Sequence, residues 1–171
     1  MTKPIHFRGE ALLTSDNDYC WNNRYFIDTE FTDFEYRQLI SLAIVGENGH
    51  EFYGERTDFD DKICTEFARA TVLPQLGQLD GRSMQLVQLR AALQDWFAGI
   101  PIAGGPVLCY DLEIDISLLR ELLGGQLPDG WRLENIRSRI DVQRRATYYA
   151  RHGGEHHALY DARANAWAST R

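Results

Sequence analysis

Two acidic residues, Asp28 and Glu30, lie two positions apart inside the aromatic and apolar segment RYFIDTEF. The segment predicts a β-strand, so both carboxylates should point to the same face, about 6–7 Å apart along the backbone. Burying two anions side by side is costly unless their charge is compensated, and a divalent cation would compensate it. The same spacing recurs at Asp33 and Glu35, so only the apolar setting distinguishes the first pair.

A further carboxylate, Asp115, follows the apolar segment PVLCY and stands where a helix is predicted to begin. The positive end of the helix dipole favours an acid there, which is a purely structural explanation. A functional role is also consistent, because ligands of open α/β sheets bind beyond the carboxyl ends of the strands. Asp111 and Glu113 lie close by and compete for the same role, so the residues alone leave the choice open.

The segment EHHALYDA places histidine and aspartate at the entrance of a predicted C-terminal helix. Histidine, with an ordinary pKa near 6.5, can accept a proton from water at neutral pH. Asp161 could add another carboxylate to a metal site. Adjacent histidines such as His156 and His157 are also common on surfaces, and a zinc site that includes His152 is disfavoured because no cysteine lies nearby.

The elements that must position these residues alternate in their period of hydrophobicity. Strands are predicted at residues 24–31, 38–46, 50–55, 106–110 and 131–136, with Asn48-Gly49 as a hairpin turn. Helices are predicted at residues 61–73, 83–97, 114–123, 138–151 and 157–169, the second of them capped by Ser83. A three-stranded meander followed by alternating strands and helices predicts an α/β fold with a mixed sheet.

The composition bounds the class of protein. A chain of 171 residues predicts one domain, here residues 24–171, preceded by an extension over residues 1–23. The net charge of −7 argues against a broad duplex-binding surface, although six arginines lie between residues 132 and 151. The sequence has no apolar run long enough for a membrane span and no signal-peptide pattern, and its three cysteines read as reduced thiols. We therefore expect a cytoplasmic protein.

Taken in order, three motifs resemble those of the DEDD exonucleases, in the subgroup with a catalytic histidine. FIDTEF is similar to the first motif, VLCYDLEIDISLL to the second and HHALYDARA to the third. Alignment on the apolar spacing selects Asp115 in the second motif, and the pattern His-x-Ala-Leu-x-Asp-Ala selects His156 in the third. The chain is most similar to a small exoribonuclease subgroup known from mycobacteria. It departs from the wider family at Tyr110-Asp111, where His-Asn is usual, and at Phe31, where Thr is common.

The resemblance implies an RNase H-like fold and a metal-dependent 3′→5′ exonuclease, with an exoribonuclease favoured over an enzyme that acts on DNA. The implied catalytic residues are Asp28, Glu30, Asp115, His156 and Asp161. All four carboxylates would serve two Mg²⁺ or Mn²⁺ ions, Asp115 less directly than the others, and His156 would act as the general base.

The expected partners are the 3′ end of single-stranded RNA or DNA and the nucleoside 5′-monophosphate product, with no membrane and with a homodimer as an option. Substrate contacts are expected from Phe31, Thr29 and Tyr110, and a bend at the strand end would let Phe31 stack on the terminal base. Two other functions stay open: a non-catalytic nucleic-acid-binding module of the same fold, and an RNase H-like endonuclease.

Overall fold

The computed structural model describes residues 23–170, so all but the last residue of the predicted N-terminal extension lies outside the described residues. Its centre is a six-stranded sheet with the strand order β4-β3-β2-β1-β5-β6. The strands are β1 (Arg24–Phe31), β2 (Leu39–Gly46), β3 (Glu51–Arg56), β4 (Ser83–Met84), β5 (Val107–Tyr110) and β6 (Arg132–Asn135). Only β2 runs antiparallel to its neighbours, and the other pairs in the sheet are parallel.

Four helices cover the two faces of this sheet: α1 (Leu86–Ala98), α2 (Glu113–Leu123), α3 (Val142–His152) and α4 (Ala158–Ala168). Side chains of α1 and α2 form the largest core cluster with one face of β1, which contributes Tyr25 and Ile27. Small residues of α4, including Ala158 and Ala162, pack on the opposite face. Their small size lets α4 lie close to the strands, which matters because α4 carries one of the candidate carboxylates.

The predicted α/β fold with a mixed sheet is confirmed, as are the existence and order of the five predicted strands. A sixth strand was missed, because Ser83 and Met84 pair with Glu55 and Arg56 instead of starting a helix. The prediction that Ser83 caps a helix is therefore wrong. Helix α1 instead begins after Gln85, whose side chain forms a reciprocal capping box with Gln88.

Two other predicted helices differ in shape. Residues 61–73 do not form one regular helix; two short 3₁₀ turns flank a π-helical stretch at Ala68–Val72. Helix α3 begins at Val142 and not at Ser138, because the side chain of Asp141 caps its first turn. Within the described residues, no helix combines the length and apolar character needed to cross a membrane.

Candidate active site

The strand β1 presents Asp28 and Glu30 on the same face, as the spacing of two predicted. Asp28 pairs in register with Ala43 of β2, which belongs to the apolar cluster under α4. Both carboxylates therefore point toward α4. The register with β2 shifts between Glu30 and Phe31, so the strand is irregular where the second carboxylate stands.

The helix α4 brings a third carboxylate and a histidine to this face. Ligand atoms of Glu30, His156 and Asp161 all lie within 4.8 Å of one another. The backbone N–H of His156, in the loop before α4, donates to Oδ2 of Asp161 in the first turn of α4 at 3.0 Å. The loop before α4 and its first turn thus deliver two candidate groups together.

Asp115 reaches the cluster from the other side of the sheet, where it lies in the first turn of α2. Its Oδ1 accepts hydrogen bonds from the Thr29 hydroxyl at 2.7 Å and from the Thr29 backbone N–H at 3.1 Å. Its Oδ2 is buried and has no hydrogen-bond partner in the described part of the chain. A buried carboxylate oxygen without a partner is costly, so this atom suits a bound ligand.

The electrostatics are those of a crowded acidic site. Burial, followed by the charges of Asp161 and Asp115, raises the pKa of Asp28 well above its usual range. Burial and the same two neighbours raise the pKa of Glu30 to about 8. Burial also raises the pKa of Asp115 to about 7 and that of Asp161 to about 6. Without a cation, these carboxylates resist full ionisation at neutral pH.

The described basic side chains do not neutralise this charge. In residues 23–170, no arginine or lysine forms an ion pair with Asp28, Glu30, Asp115 or Asp161. Hard oxygen ligands with uncompensated negative charge are the donor set that Mg²⁺ and Mn²⁺ prefer. The four carboxylates therefore fit divalent ions, and their role as metal ligands stays a prediction.

The two adjacent histidines have different environments. His156 is partly exposed at the cluster, whereas His157 is buried and stacks on Tyr53 at 4.8 Å between ring centroids. The Nδ1 of His157 accepts from the Leu159 backbone N–H and so caps α4. Burial lowers the pKa of His157, which keeps its ring neutral. This arrangement supports the motif alignment that selects His156.

The zinc alternative gains nothing from the structure. His152 packs on Tyr148 at 4.5 Å between ring centroids, and His157 is occupied as the cap of α4. Within residues 23–170, the group of side chains whose spacing suits a metal contains His156 but neither of the other two histidines.

Two residues of the cluster were not selected from the sequence. Tyr149 of α3 donates its hydroxyl to Oδ1 of Asp161 at 2.8 Å. Asp111, considered only as a competitor of Asp115, adds its charge to those that raise the pKa of Asp28 and Asp115. It also forms an ion pair with Arg145 of α3 at 3.4 Å. Neither contact has a local sequence signal, because each joins residues distant in the chain.

The predicted substrate contacts lie beside this cluster in different settings. Phe31 is partly buried and contacts the exposed Phe34 edge-on, with ring centroids 5.0 Å apart. Thr29 is buried and its hydroxyl is engaged with Asp115. Tyr110 donates to the exposed Glu113 at 3.0 Å. Their contacts with a substrate stay predictions.

The fold is RNase H-like, and the relatives and solved structures that the chain matches confirm the resemblance to DEDD-type exonucleases inferred from the motifs. Two curated proteins from Mycobacterium tuberculosis, strains CDC 1551 and H37Rv, both named 3′-5′ exoribonuclease, are each 43% identical to this chain over 54 residues. The match covers 31% of this chain and 32% of each relative, so it spans about a third of the relatives' length. No family model matches the chain.

Solved structures share the fold at low sequence identity. The chain is similar to S. pombe Pop2p in its Mg²⁺- and Mn²⁺-bound form, with a TM-score of 0.55 and 13% identity over 85% of this chain and 80% of that one. It is also similar to cell-death related nuclease 4, with a TM-score of 0.50 and 15% identity over 85% of this chain and 62% of that one. At such identities the likeness concerns the fold.

Proposed function

We propose that this protein is a metal-dependent 3′→5′ exonuclease that releases nucleoside 5′-monophosphates from single-stranded nucleic acid, preferentially RNA. The observation that carries the proposal is the convergence of Asp28, Glu30, Asp115 and Asp161 with His156 around the last residues of β1, where no described arginine or lysine pairs with the carboxylates. The preference for RNA is supported by the relatives, which are named exoribonucleases.

In this proposal the carboxylates of Asp28, Glu30 and Asp161 hold two divalent ions, and the unpartnered Oδ2 of Asp115 completes the site. Bound ions would polarise the scissile phosphate and stabilise the charge on the leaving 3′-oxygen. Thr29 keeps Asp115 oriented, and Tyr149 does the same for Asp161. Burial and the Asp161 carboxylate raise the pKa of Tyr149, so its hydroxyl remains a donor throughout the working pH range.

The role of His156 is to accept the proton of the attacking water. One of its ring nitrogens lies within 4.8 Å of carboxylate oxygens of Glu30 and Asp161, which is close enough to reach a water held between the carboxylates. The same position would also allow His156 to bind a metal. The variant His156→Ala distinguishes the two roles, because its metal affinity should fall only if the ring is a metal ligand.

The acidity of the protein suggests how substrate is held. With a net charge of −7, few phosphate contacts are expected, and stacking on aromatic side chains such as Phe31 has to supply much of the grip. We therefore propose short single-stranded 3′ ends as the substrate class.

The test uses 5′-labelled RNA and DNA oligomers of matched sequence, with Mg²⁺, with Mn²⁺ and with EDTA. Stepwise shortening from the 3′ end and release of 5′-monophosphates only with metal are the expected results. Asp28→Asn, which keeps the shape of the side chain, is the matched inactive control. Binding without any release would indicate a non-catalytic module, and cleavage of circular RNA would indicate an endonuclease.

A further inference from the structure

The backbone of His156 has an unusual conformation. Its φ of 65° is the only positive value at a residue other than glycine within residues 23–170. Side chains with a Cβ rarely adopt this region, so the surrounding structure has to hold the residue there. Gly153 and Gly154, shortly before it in the chain, also have positive φ angles. Because glycine is conformationally permissive, these residues cannot by themselves hold the backbone of His156 in place.

One side chain from a distant segment holds this turn. The amide nitrogen of Gln75 lies 2.9 Å from the Glu155 carbonyl oxygen and 3.0 Å from that of His156. The same nitrogen lies 3.0 Å from the carbonyl oxygen of Thr71, in its own segment. Gln75 thus cross-links the residues before α4 to a part of the chain about 80 positions earlier.

The same segment also contacts the ring of His156. Phe67, which is 54% exposed, meets the imidazole edge-on with ring centroids 4.9 Å apart. Between Phe67 and Gln75 lies the π-helical stretch Ala68–Val72, a rare local structure that often marks functional positions. Because each π turn contains an extra residue, the stretch changes the direction in which its two ends project.

This segment is itself anchored to the sheet. Three residues of the segment, spaced four positions apart, are buried against Ile40 of β2: Cys64, Ala68 and Val72. The backbone N–H of Thr65 donates to the carbonyl of Thr32, just after β1. The anchoring side chains face the core while Phe67 and Gln75 reach the histidine, so the segment is a rigid support.

We propose that Gln75 is a positioning residue for the proposed general base: it fixes the strained backbone of His156 and so aims the imidazole at the carboxylate cluster, with Phe67 supporting the ring. The inference rests on the proposed function for its effect on the reaction. Gln75 itself bonds only to backbone carbonyls and to none of the carboxylates that would hold metal. Because Thr29 and Tyr149 hold Asp115 and Asp161 independently of Gln75, metal affinity should depend on Gln75 much less than kcat does.

The decisive variant is Gln75→Met, which keeps the length of the side chain and removes its donors. We expect kcat for nucleotide release to fall by roughly 10–100-fold, the scale of a small misplacement of a reacting group. KM and the Mg²⁺ concentration for half-maximal activity should stay within about twofold of the wild type. Gln75→Glu, which has nearly the same shape but offers no donor, should lose at least as much.

The matched control is Gln88→Met on α1. Gln88 also bonds to backbone, accepting from the N–H of Gln85, but it is exposed and belongs to another element. It should lose some stability and keep kcat. A Gln75→Met enzyme with kcat within twofold of the wild type would overturn the proposal, as would a parallel fall of kcat, metal affinity and melting temperature.

A measurement without catalysis separates this inference from the proposed function. In ¹⁵N-histidine-labelled protein, the amide of His156 should exchange with solvent at least tenfold faster in Gln75→Met than in the wild type or Gln88→Met. Unchanged exchange would contradict the positioning contact. If the wild type released no nucleotide but the exchange difference appeared, the proposed function would fail while the contact stood.

Discussion

Thr29 donates twice to the same oxygen of Asp115, from its backbone N–H at 3.1 Å and from its hydroxyl at 2.7 Å. Both bonds arrive at Oδ1, so the buried Oδ2 has no protein partner in the described residues. Thr29, whose side chain points to the face of β1 opposite that of Asp28 and Glu30, therefore orients the carboxylate of Asp115 in α2. In this way the strand β1 contributes to the cluster from both of its sides.

The Thr29 hydroxyl is the first target that this geometry suggests. Thr29→Val keeps the shape and removes the donor, so we expect a loss of about 1–3 kcal/mol in the free energy of unfolding. We also expect a fall of roughly 10–100-fold in metal affinity or activity, the usual cost of losing an outer contact to a metal ligand. Thr29→Ser keeps the hydroxyl and should stay close to wild type in both. Equal losses in the two variants would show that the hydrogen bond is not what matters.

The second prediction concerns the pH dependence of stability without metal. The native pKa values of Glu30, Asp115 and Asp161 are about 8, about 7 and about 6, all above the ordinary values near 4. The folded protein therefore binds more protons than the unfolded chain. This contribution to stability is fully present below about pH 4 and is lost as the pH rises through about 6 to 8.

Thermal unfolding in EDTA between pH 5 and pH 8.5 measures this loss, and the melting temperature should fall across the range. Added Mg²⁺ should raise the melting temperature more at pH 8 than at pH 5, because binding requires the ionised carboxylates. Glu30→Gln should flatten the EDTA curve. A stabilisation by Mg²⁺ that is equal at both pH values would contradict a site built on these acids.

Substitution of Asp28 should separate activity from stability. Its carboxylate is surrounded by those of Asp161, Asp115 and Glu30, and burial together with these charges opposes its ionisation. Asp28→Asn removes the buried charge, so we expect the metal-free protein to gain on the order of 1–3 kcal/mol at pH 8. The same variant should have no detectable nuclease activity. Chemical denaturation in EDTA at pH 8 measures the gain, and a less stable variant would contradict the crowding of charge.

The sequence predicted the parts of this architecture that depend on local patterns. The apolar segment around Asp28 predicted β1 with the observed bounds, and the spacing of two predicted the shared face of its carboxylates. The order of the three motifs predicted which distant residues would meet at α4. The sequence could not predict the contacts that residues outside the motifs make with residues inside them. Examples are the hydrogen bonds of Gln75 with His156 and of Tyr149 with Asp161.

Errors of prediction arose where tertiary pairing overrode a local signal. Ser83 resembles a helix cap, but the edge of β3 offers backbone partners, and the two-residue strand β4 forms there instead. In residues 61–73, predicted as one helix, the side chains buried against Ile40 are Cys64, Ala68 and Val72, and the segment contains a π-helical stretch where a straight helix was expected. Periodicity reports which side chains are buried, and it does not distinguish α from π turns.

The last prediction separates the two adjacent histidines. His156→Ala should lower kcat by roughly 10²–10⁴-fold, the scale of a positioned base, with little change in stability. His157→Ala removes the cap of α4 and the ring stacked on Tyr53, so it should lower the free energy of unfolding by about 2 kcal/mol or more. Activity measured well below the melting temperature should survive this second change far better than the first. The opposite ranking of the two variants in kcat would mean that the third motif is aligned on the wrong histidine.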